Sequence, residues 1–258
     1  LLQWEKINVC VQKWMKQARK IILEGRTNGL CVEEKTSRCD LVTNVDKFIE
    51  KFYVDRIRET FPNSKILGEE GEADKGLDNF KGLLWIIDPI DGTMNFVKQH
   101  DHFASMIAVC ENGIEKLGYI LDVTEDKLYW GGPECGVFCN DQKVEPPKNL
   151  PLEEGLFGVG GKMLLSNYRN VQSAAKKSLG VRIYGSSGIE FIHVLTGKNV
   201  SYLSHLRPWD YAAGKILAET LGLVVKTIDE ESLDMLSSSD VLVATKNAHQ
   251  GIIKLMNS

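Results

Sequence analysis

The sequence predicts an α/β protein in two sub-domains, 1–147 and 148–258. Three observations carry this. Two amphipathic helical patterns open the chain, a run of short apolar strands follows, and strands alternate with helices beyond Pro146-Pro147, the clearest breaker in the chain. The first part reads as α+β and the second as a layered α/β unit.

Each element has its own signal. Trp4, Ile7, Val11, Trp14/Met15, Ala18 and Ile21/Ile22 recur at spacings of three and four, one face of a helix. A second helix is predicted over 45–60, with Ile49, Phe52/Tyr53 and Ile57 on one side. Thr43, three residues before Asp46, forms an acidic capping box, and Pro62-Asn63 ends the helix. Residues 65–67 predict a strand leading into Gly68. Residues 83–87 are wholly apolar, as in a strand buried on both faces. Strands at 103–111 and 115–122 flank Asn112-Gly113, a strong hairpin signal, and 127–130 and 136–139 continue the meander. Past the breaker, strands are predicted at 155–159, 181–184, 200–203, 223–226 and 241–244. Helices are predicted at 162–178, 188–195, 209–221 and from about residue 250.

Composition narrows the class. The 258 residues carry 31 Lys+Arg against 35 Asp+Glu, a net charge of −4, with 43% hydrophobic and 26% charged residues. These ordinary globular values exclude a disordered, collagen-like or coiled-coil chain. The longest apolar runs, 83–87 and 106–110, fall far short of the roughly 20 residues a membrane helix needs. No secretory leader is evident, so the expectation is a cytoplasmic protein whose cysteines at 10, 31, 39, 110, 135 and 139 are reduced. Cys135 and Cys139 form a lone C-x3-C without a second ligand pair, which disfavours zinc. A mildly acidic chain without a basic block disfavours nucleic acid as a partner.

The acidic residues are grouped. Gly68-Glu69-Glu70 closes one strand, Asp88-Pro89-Ile90-Asp91-Gly92-Thr93 closes the buried strand, and Trp209-Asp210 opens a helix far downstream. Carboxylates three residues apart at the exit of an apolar strand raise each other's pKa, and a cation between them relieves the cost. Oxygen-only ligands favour Mg²⁺. Gly92 permits close backbone approach, and a helix starting at Thr93 would aim free N–H groups at a phosphate. Together these describe a metal-dependent phosphoryl-transfer site. Plainer roles stand beside this one: DPxDG as a turn, Asp46 as a helix cap, Asp210 as a carboxylate serving the helix dipole, and Glu69-Glu70 as a solvated pair.

Other chemistries fit poorly. Residues 155–162 (GLFGVGGK) fail both the P-loop and the G-x-G-x-x-G spacing. The five histidines form no i,i+4 metal pair, and Ser186-Ser187-Gly188 lacks a nucleophile elbow. A serine hydrolase and a nucleotide-fold dehydrogenase are thereby disfavoured.

WIIDPIDGTMNF at 85–96, LGEE at 67–70, DLVTNVD at 40–46 and PWDYAAG at 208–214 resemble, in order and spacing, the inositol monophosphatase family over essentially the whole chain. The resemblance implies a layered αβαβα sandwich of the inositol monophosphatase/fructose-1,6-bisphosphatase type, two or three Mg²⁺ per site, lithium sensitivity and a homodimer. It implies that Glu69, Asp88 and the Ile90 carbonyl hold one metal and that Asp88, Asp91 and Asp210 hold a second. Glu69 with Asp46 would hold a weaker third. Thr93, oriented by Asp46, would position the attacking water, so Glu69, Thr93 and Asp46 are the implied catalytic residues. Gly92 and Thr93 would bind phosphate, and Lys35 matches a mobile-loop lysine.

One departure concerns the substrate. Family members that prefer inositol phosphates carry a glutamate seven residues before the position of Asp210, where this chain has Leu203. Glu190 or Arg207 is expected to line the pocket instead, Arg207 suiting a second phosphate. The substrate-binding set is therefore Asp91, Gly92, Thr93, Glu190, Arg207 and Asp210. The implied activity is hydrolysis of inositol monophosphate and related small phosphate esters, with NADP⁺ or fructose 1,6-bisphosphate as alternative substrates. An inactive regulatory or binding homologue is the alternative of another class, disfavoured because every metal ligand and Thr93 are present.

Overall fold

Leu84 and Ile86 point to one side of a central strand and Trp85 and Ile87 to the other, and all four are buried. Two separate apolar layers must therefore cover that strand, and the rest of the fold supplies them. The computed structural model describes residues 3–27, 29–37, 40–71 and 74–257. The elements in order are α1 (Gln3–Thr27), β1 (Val32–Ser37), β2 (Asp40–Thr43), α2 (Asn44–Thr60), β3 (Lys65–Gly68), β4 (Leu83–Asp91), α3 (Thr93–Lys98), β5 (Ala104–Glu111), β6 (Ile114–Asp122), β7 (Lys127–Gly132), β8 (Gly136–Cys139) and β9 (Gln142–Lys143). They continue with β10 (Leu156–Val159), α4 (Gly161–Leu165), α5 (Val171–Lys177), β11 (Gly180–Arg182), α6 (Ser187–Leu195), β12 (Ser201–Leu206), α7 (Pro208–Thr220), β13 (Val224–Thr227), β14 (Ser239–Ala244) and α8 (Lys246–Met256).

Seven strands form one sheet in the order β3-β4-β5-β6-β7-β8-β9, and five form a second, β11-β10-β12-β14-β13. Trp85, Ile87, Ile107 and Tyr119 of the first sheet pack against α1 and α2. Leu84, Ile86 and Met106, on its other face, pack against α6 and α7, which also meet Tyr202, Val241 and Val243 of the second sheet. Phe157, Leu203 and Leu242 cover the far face of that sheet together with α5 and α8. The result is the five-layer αβαβα arrangement.

The expected elements form, with shifts that have local causes. The helix expected over 162–178 is divided into α4, a 3-10 turn at Tyr168–Asn170, and α5, because Asn167, Arg169 and Asn170 hold positive φ. Asparagine tolerates that left-handed region, so its two occurrences here break the helix. The strand expected at 181–184 ends at Arg182, and Tyr184 instead stacks on His102 with ring centroids 5.6 Å apart. The last helix begins at Lys246, capped by the Thr245 hydroxyl, which accepts the Ala248 N–H. The β1–β2 hairpin and β9 carry no apolar alternation: residues 32–34 and 142–143 are exposed. Asn112-Gly113 makes its hairpin with φ of 54° and 80°. Cys10, Cys31, Cys110, Cys135 and Cys139 are free thiols; Cys39 lies outside the described residues. Among the described residues no helix is long and apolar enough to cross a membrane.

Candidate active site

The DPxDG segment is not a plain turn. β4 runs on through Asp88 to Asp91, with its register against β5 shifted between the two. Side chains alternate along a strand, so Asp88 follows Leu84 and Ile86 onto the face turned toward α6 and α7. Asp91 emerges past the irregularity, and Gly92 then takes φ 88° to start α3. From the other direction α7 delivers Asp210 in its first turn, where Oδ2 accepts the Arg207 N–H at 2.8 Å. One carboxylate oxygen from each of Asp88, Asp91 and Asp210 lies within 4.8 Å of those of the other two.

Asp88 and Asp91 are buried and Asp210 is partly exposed. Burial, then the charges of Glu69, Asp91 and Asp210, holds the Asp88 carboxyl well above the usual range. Burial likewise raises Asp91, and burial with the Asp91 charge pushes Asp210 up to about 8. The oxygens differ in partners. Asp91 Oδ1 accepts the Ser187 N–H at 3.0 Å and the Ser187 hydroxyl at 2.9 Å, while Oδ2 accepts the Gly188 N–H at 2.7 Å and the Ser186 hydroxyl. Asp88 Oδ1, by contrast, is buried with no hydrogen-bond partner. An orphaned carboxylate oxygen among acidic neighbours, with oxygen as the only donor type, fits a hard divalent cation such as Mg²⁺.

Thr93 Oγ1 lies 2.9 Å from Asp46 Oδ1 and 3.1 Å from the Ile90 carbonyl oxygen. Asp46 Oδ2 accepts the Thr43 N–H at 2.9 Å and the Thr43 hydroxyl. The capping carboxylate of α2 and the partner of Thr93 are thus one group, and burial raises its pKa. Glu69 reaches Asp88, whose pKa its charge and hydrogen bond help to raise, and it also meets Lys35, whose Nζ donates to Glu69 Oε1 at 2.9 Å and to Glu70 Oε1 at 2.5 Å. Burial opposes the ammonium, but the two glutamates hold its pKa above the usual lysine range. Burial pushes Glu70 up to about 7 against the pull of Lys35.

A cavity of about 380 Å³ opens beside Asp91 and Asp210. Glu190 lines it, buried, with Oε1 accepting the Tyr184 N–H at 2.9 Å. Arg207 is not among its lining residues; the guanidinium lies 5.6 Å over the Trp209 ring. Leu203 faces the outer core, and its neighbours Tyr202 and Ser204 face the cavity. The sequence reading overlooked Ser186, Ser187, Tyr202 and Lys162. A serine N-cap at 186 opening a helix is the signal that marks the first two. Gly92 packs against this loop so closely that a Cβ would stand 2.9 Å from Ser186 Cβ.

A carboxylate triad with two members buried, opening on a hydroxyl-lined cavity within a five-layer αβαβα fold, is an arrangement that could hold a cation in an enzyme site. The family model of the inositol monophosphatase family matches residues 3–258. An inositol-1-monophosphatase of Bacillus subtilis is 39% identical over 259 residues, covering 98% of this chain and 97% of that protein. A solved IMPase/NADP phosphatase complexed with Mg²⁺ and phosphate superposes with a TM-score of 0.92 at 31% identity, covering 98% of this chain and 96% of that one. A staphylococcal inositol monophosphatase-1, in a LiCl-soaked inhibitory complex, gives 0.92 at 32% identity, covering 98% and 95%. The chain belongs to the inositol monophosphatase family and is an enzyme of that type.

Proposed function

We propose that the protein is a Mg²⁺-dependent phosphomonoesterase acting on inositol monophosphate and related small phosphate esters. The observation that carries this is the convergence of Asp88, Asp91 and Asp210 around a buried oxygen that has no partner. Glu69, Asp88 and the Ile90 carbonyl would hold one ion, Asp88, Asp91 and Asp210 a second, and Glu69 with Asp46 a third. When bound, Mg²⁺ supplies a lowered pKa for water and compensation of charge on the transferring and leaving oxygens.

The chain's own groups do the rest. Thr93 directs its proton to Asp46, leaving its lone pairs to hold the attacking water. The N–H groups of Gly92 and Thr93 receive phosphate oxygens, and the cavity beside Asp91, Glu190 and Asp210 takes the alcohol half. Arg207, whose charge counters the raised pKa of Asp210, steadies that carboxylate. In-line displacement then releases alcohol and inorganic phosphate.

Lithium sensitivity, a cytoplasmic setting and a homodimer belong to the same reading. Leu179 (70% exposed) and Ile183 (53%) bracket the edge strand β11 and support an interface there, which sedimentation tests. An NADP phosphatase is a second reading, favoured by the likeness to the dual-activity structure. The deciding assay is phosphate release from inositol 1-phosphate and NADP⁺, with Mg²⁺ and with chelator. Release that requires Mg²⁺ is expected. Undiminished release in chelator overturns the metal dependence, and no release from any ester leaves the inactive homologue.

A further inference from the structure

We infer that Lys162 is the residue by which the cavity selects phosphate esters whose alcohol half carries a second anionic group, an inference that rests on the phosphatase reading. The charged groups lining the cavity are Asp91, Asp210, Glu190, Lys162 and His205. Asp91 and Asp210 are metal ligands in that reading and Glu190 is turned to Tyr184 and Asn199, so none of the three attracts a second anion and a cation must answer it. His205 is committed, its Nδ1 lying 2.7 Å from Asp240 Oδ1. Lys162 is exposed and makes no ion pair among the described residues, and it is the single lysine or arginine among those lining the cavity. The Gly160-Gly161 turn seats it there, lying so close to β12 that a Cβ on Gly160 would stand 2.5 Å from Ser204 Oγ and 3.2 Å from Ser204 Cβ. Arg207, which the sequence suggested for this role, lies over Trp209 instead. An ammonium on a flexible stem meets a phosphate as a point charge, without the planar fit a guanidinium needs.

Fructose 1,6-bisphosphate and fructose 1-phosphate form the matched pair of probes, assayed with Mg²⁺ on the wild type, Lys162→Met, Lys162→Arg and Arg207→Met. In Lys162→Met the KM for the bisphosphate rises about ten- to a hundredfold with kcat little changed, the scale of one lost hydrogen bond to a charged group. The KM for the monophosphate moves far less, and Lys162→Arg keeps the bisphosphate preference. Equal changes on both esters, or a rise in Arg207→Met with none in Lys162→Met, overturn the inference alone. A wild type that turns over inositol 1-phosphate but neither fructose ester overturns this inference alone, and one without turnover on inositol 1-phosphate as well overturns the phosphatase reading and this inference with it.

Discussion

Ser187 gives Asp91 Oδ1 two hydrogen bonds, from its N–H and its hydroxyl, across 96 positions of sequence. With Ser186 and Gly188 on the other oxygen, the start of α6 grips a carboxylate delivered by β4, and so ties the second half of the chain to the first at the site. The grip also fixes which way Asp91 faces. Ser187→Ala removes one charge-assisted bond, worth about 1.5–3 kcal/mol. Steady-state assays on inositol 1-phosphate are expected to show kcat/KM lowered about tenfold or more, with a weaker Mg²⁺ response. Wild-type kinetics in this variant would show that the backbone donors suffice.

Thr93 and Asp46 call for a paired test. Thr93→Val keeps the shape and deletes the hydroxyl that lies between Asp46 and the Ile90 carbonyl. Loss of a positioned proton-handling group costs about a hundredfold or more in kcat. KM should hardly move, and Thr93→Ser should recover most of the rate. Asp46→Asn should combine a similar kcat loss with about 1 kcal/mol of stability, because the same carboxylate caps α2. Chemical denaturation separates the two effects.

The sequence made the framework readable wherever a residue's surroundings are local. Strand 83–87 declared its two-sided burial by being apolar throughout, and Thr43/Asp46 declared a cap. The acidic groups were legible as groups, since Asp88 and Asp91 share a strand exit. Long-range partners left no such mark. That Asp91 would be held by Ser186 to Gly188 depends on where β4 and α6 meet, and Leu203 could be counted to the right position without revealing that it faces the outer core. Charged, exposed β1 offered no periodicity to read, and Asn167 and Asn170 broke a helix by a backbone choice that asparagine permits without requiring.

Chelation should make stability fall with rising pH. Asp88, Asp91 and Asp210 all have folded pKa values above the ordinary 3.8. The folded metal-free protein therefore keeps protons that the unfolded chain gives up near pH 4. The associated stability is fully present below that pH and is lost as pH rises toward 8, where Asp210 ionises. Thermal scans in chelator should show a lower Tm at pH 8 than at pH 5. Mg²⁺ at a hundredfold excess over its Kd should restore about 2.7 kcal/mol, or about 5–10 °C. Asp88→Asn should abolish phosphate release, flatten the pH profile and raise the metal-free Tm at pH 8. A metal-free Tm that climbs with pH would contradict this account.

Glu190 offers the sharpest separation of charge from shape. Its carboxylate accepts the Tyr184 N–H on Oε1, and its Oε2 lies 3.4 Å from Asn199 Nδ2 and so near Gly158 that a Cβ there would stand 2.4 Å away. Asn199 Oδ1 has no partner. Burial, with the Asp91 charge adding, pushes the Glu190 pKa up to about 8 from an ordinary 4.5. A raised acid stabilises the folded state below the unfolded pKa, and that contribution disappears as pH climbs through the folded value. Glu190→Gln preserves the acceptor for Tyr184 and removes the ionisation. After a flip of the Asn199 amide, the new NH₂ also satisfies the orphaned oxygen. The variant should match the wild type near pH 5 and exceed it at pH 9 by about 3–5 kcal/mol, the scale of such a shift at about 1.36 kcal/mol per pH unit. Denaturant titrations at the two pH values, in chelator, decide the matter: curves for variant and wild type that stay parallel across this range would mean that Glu190 is ionised in the folded protein at no cost.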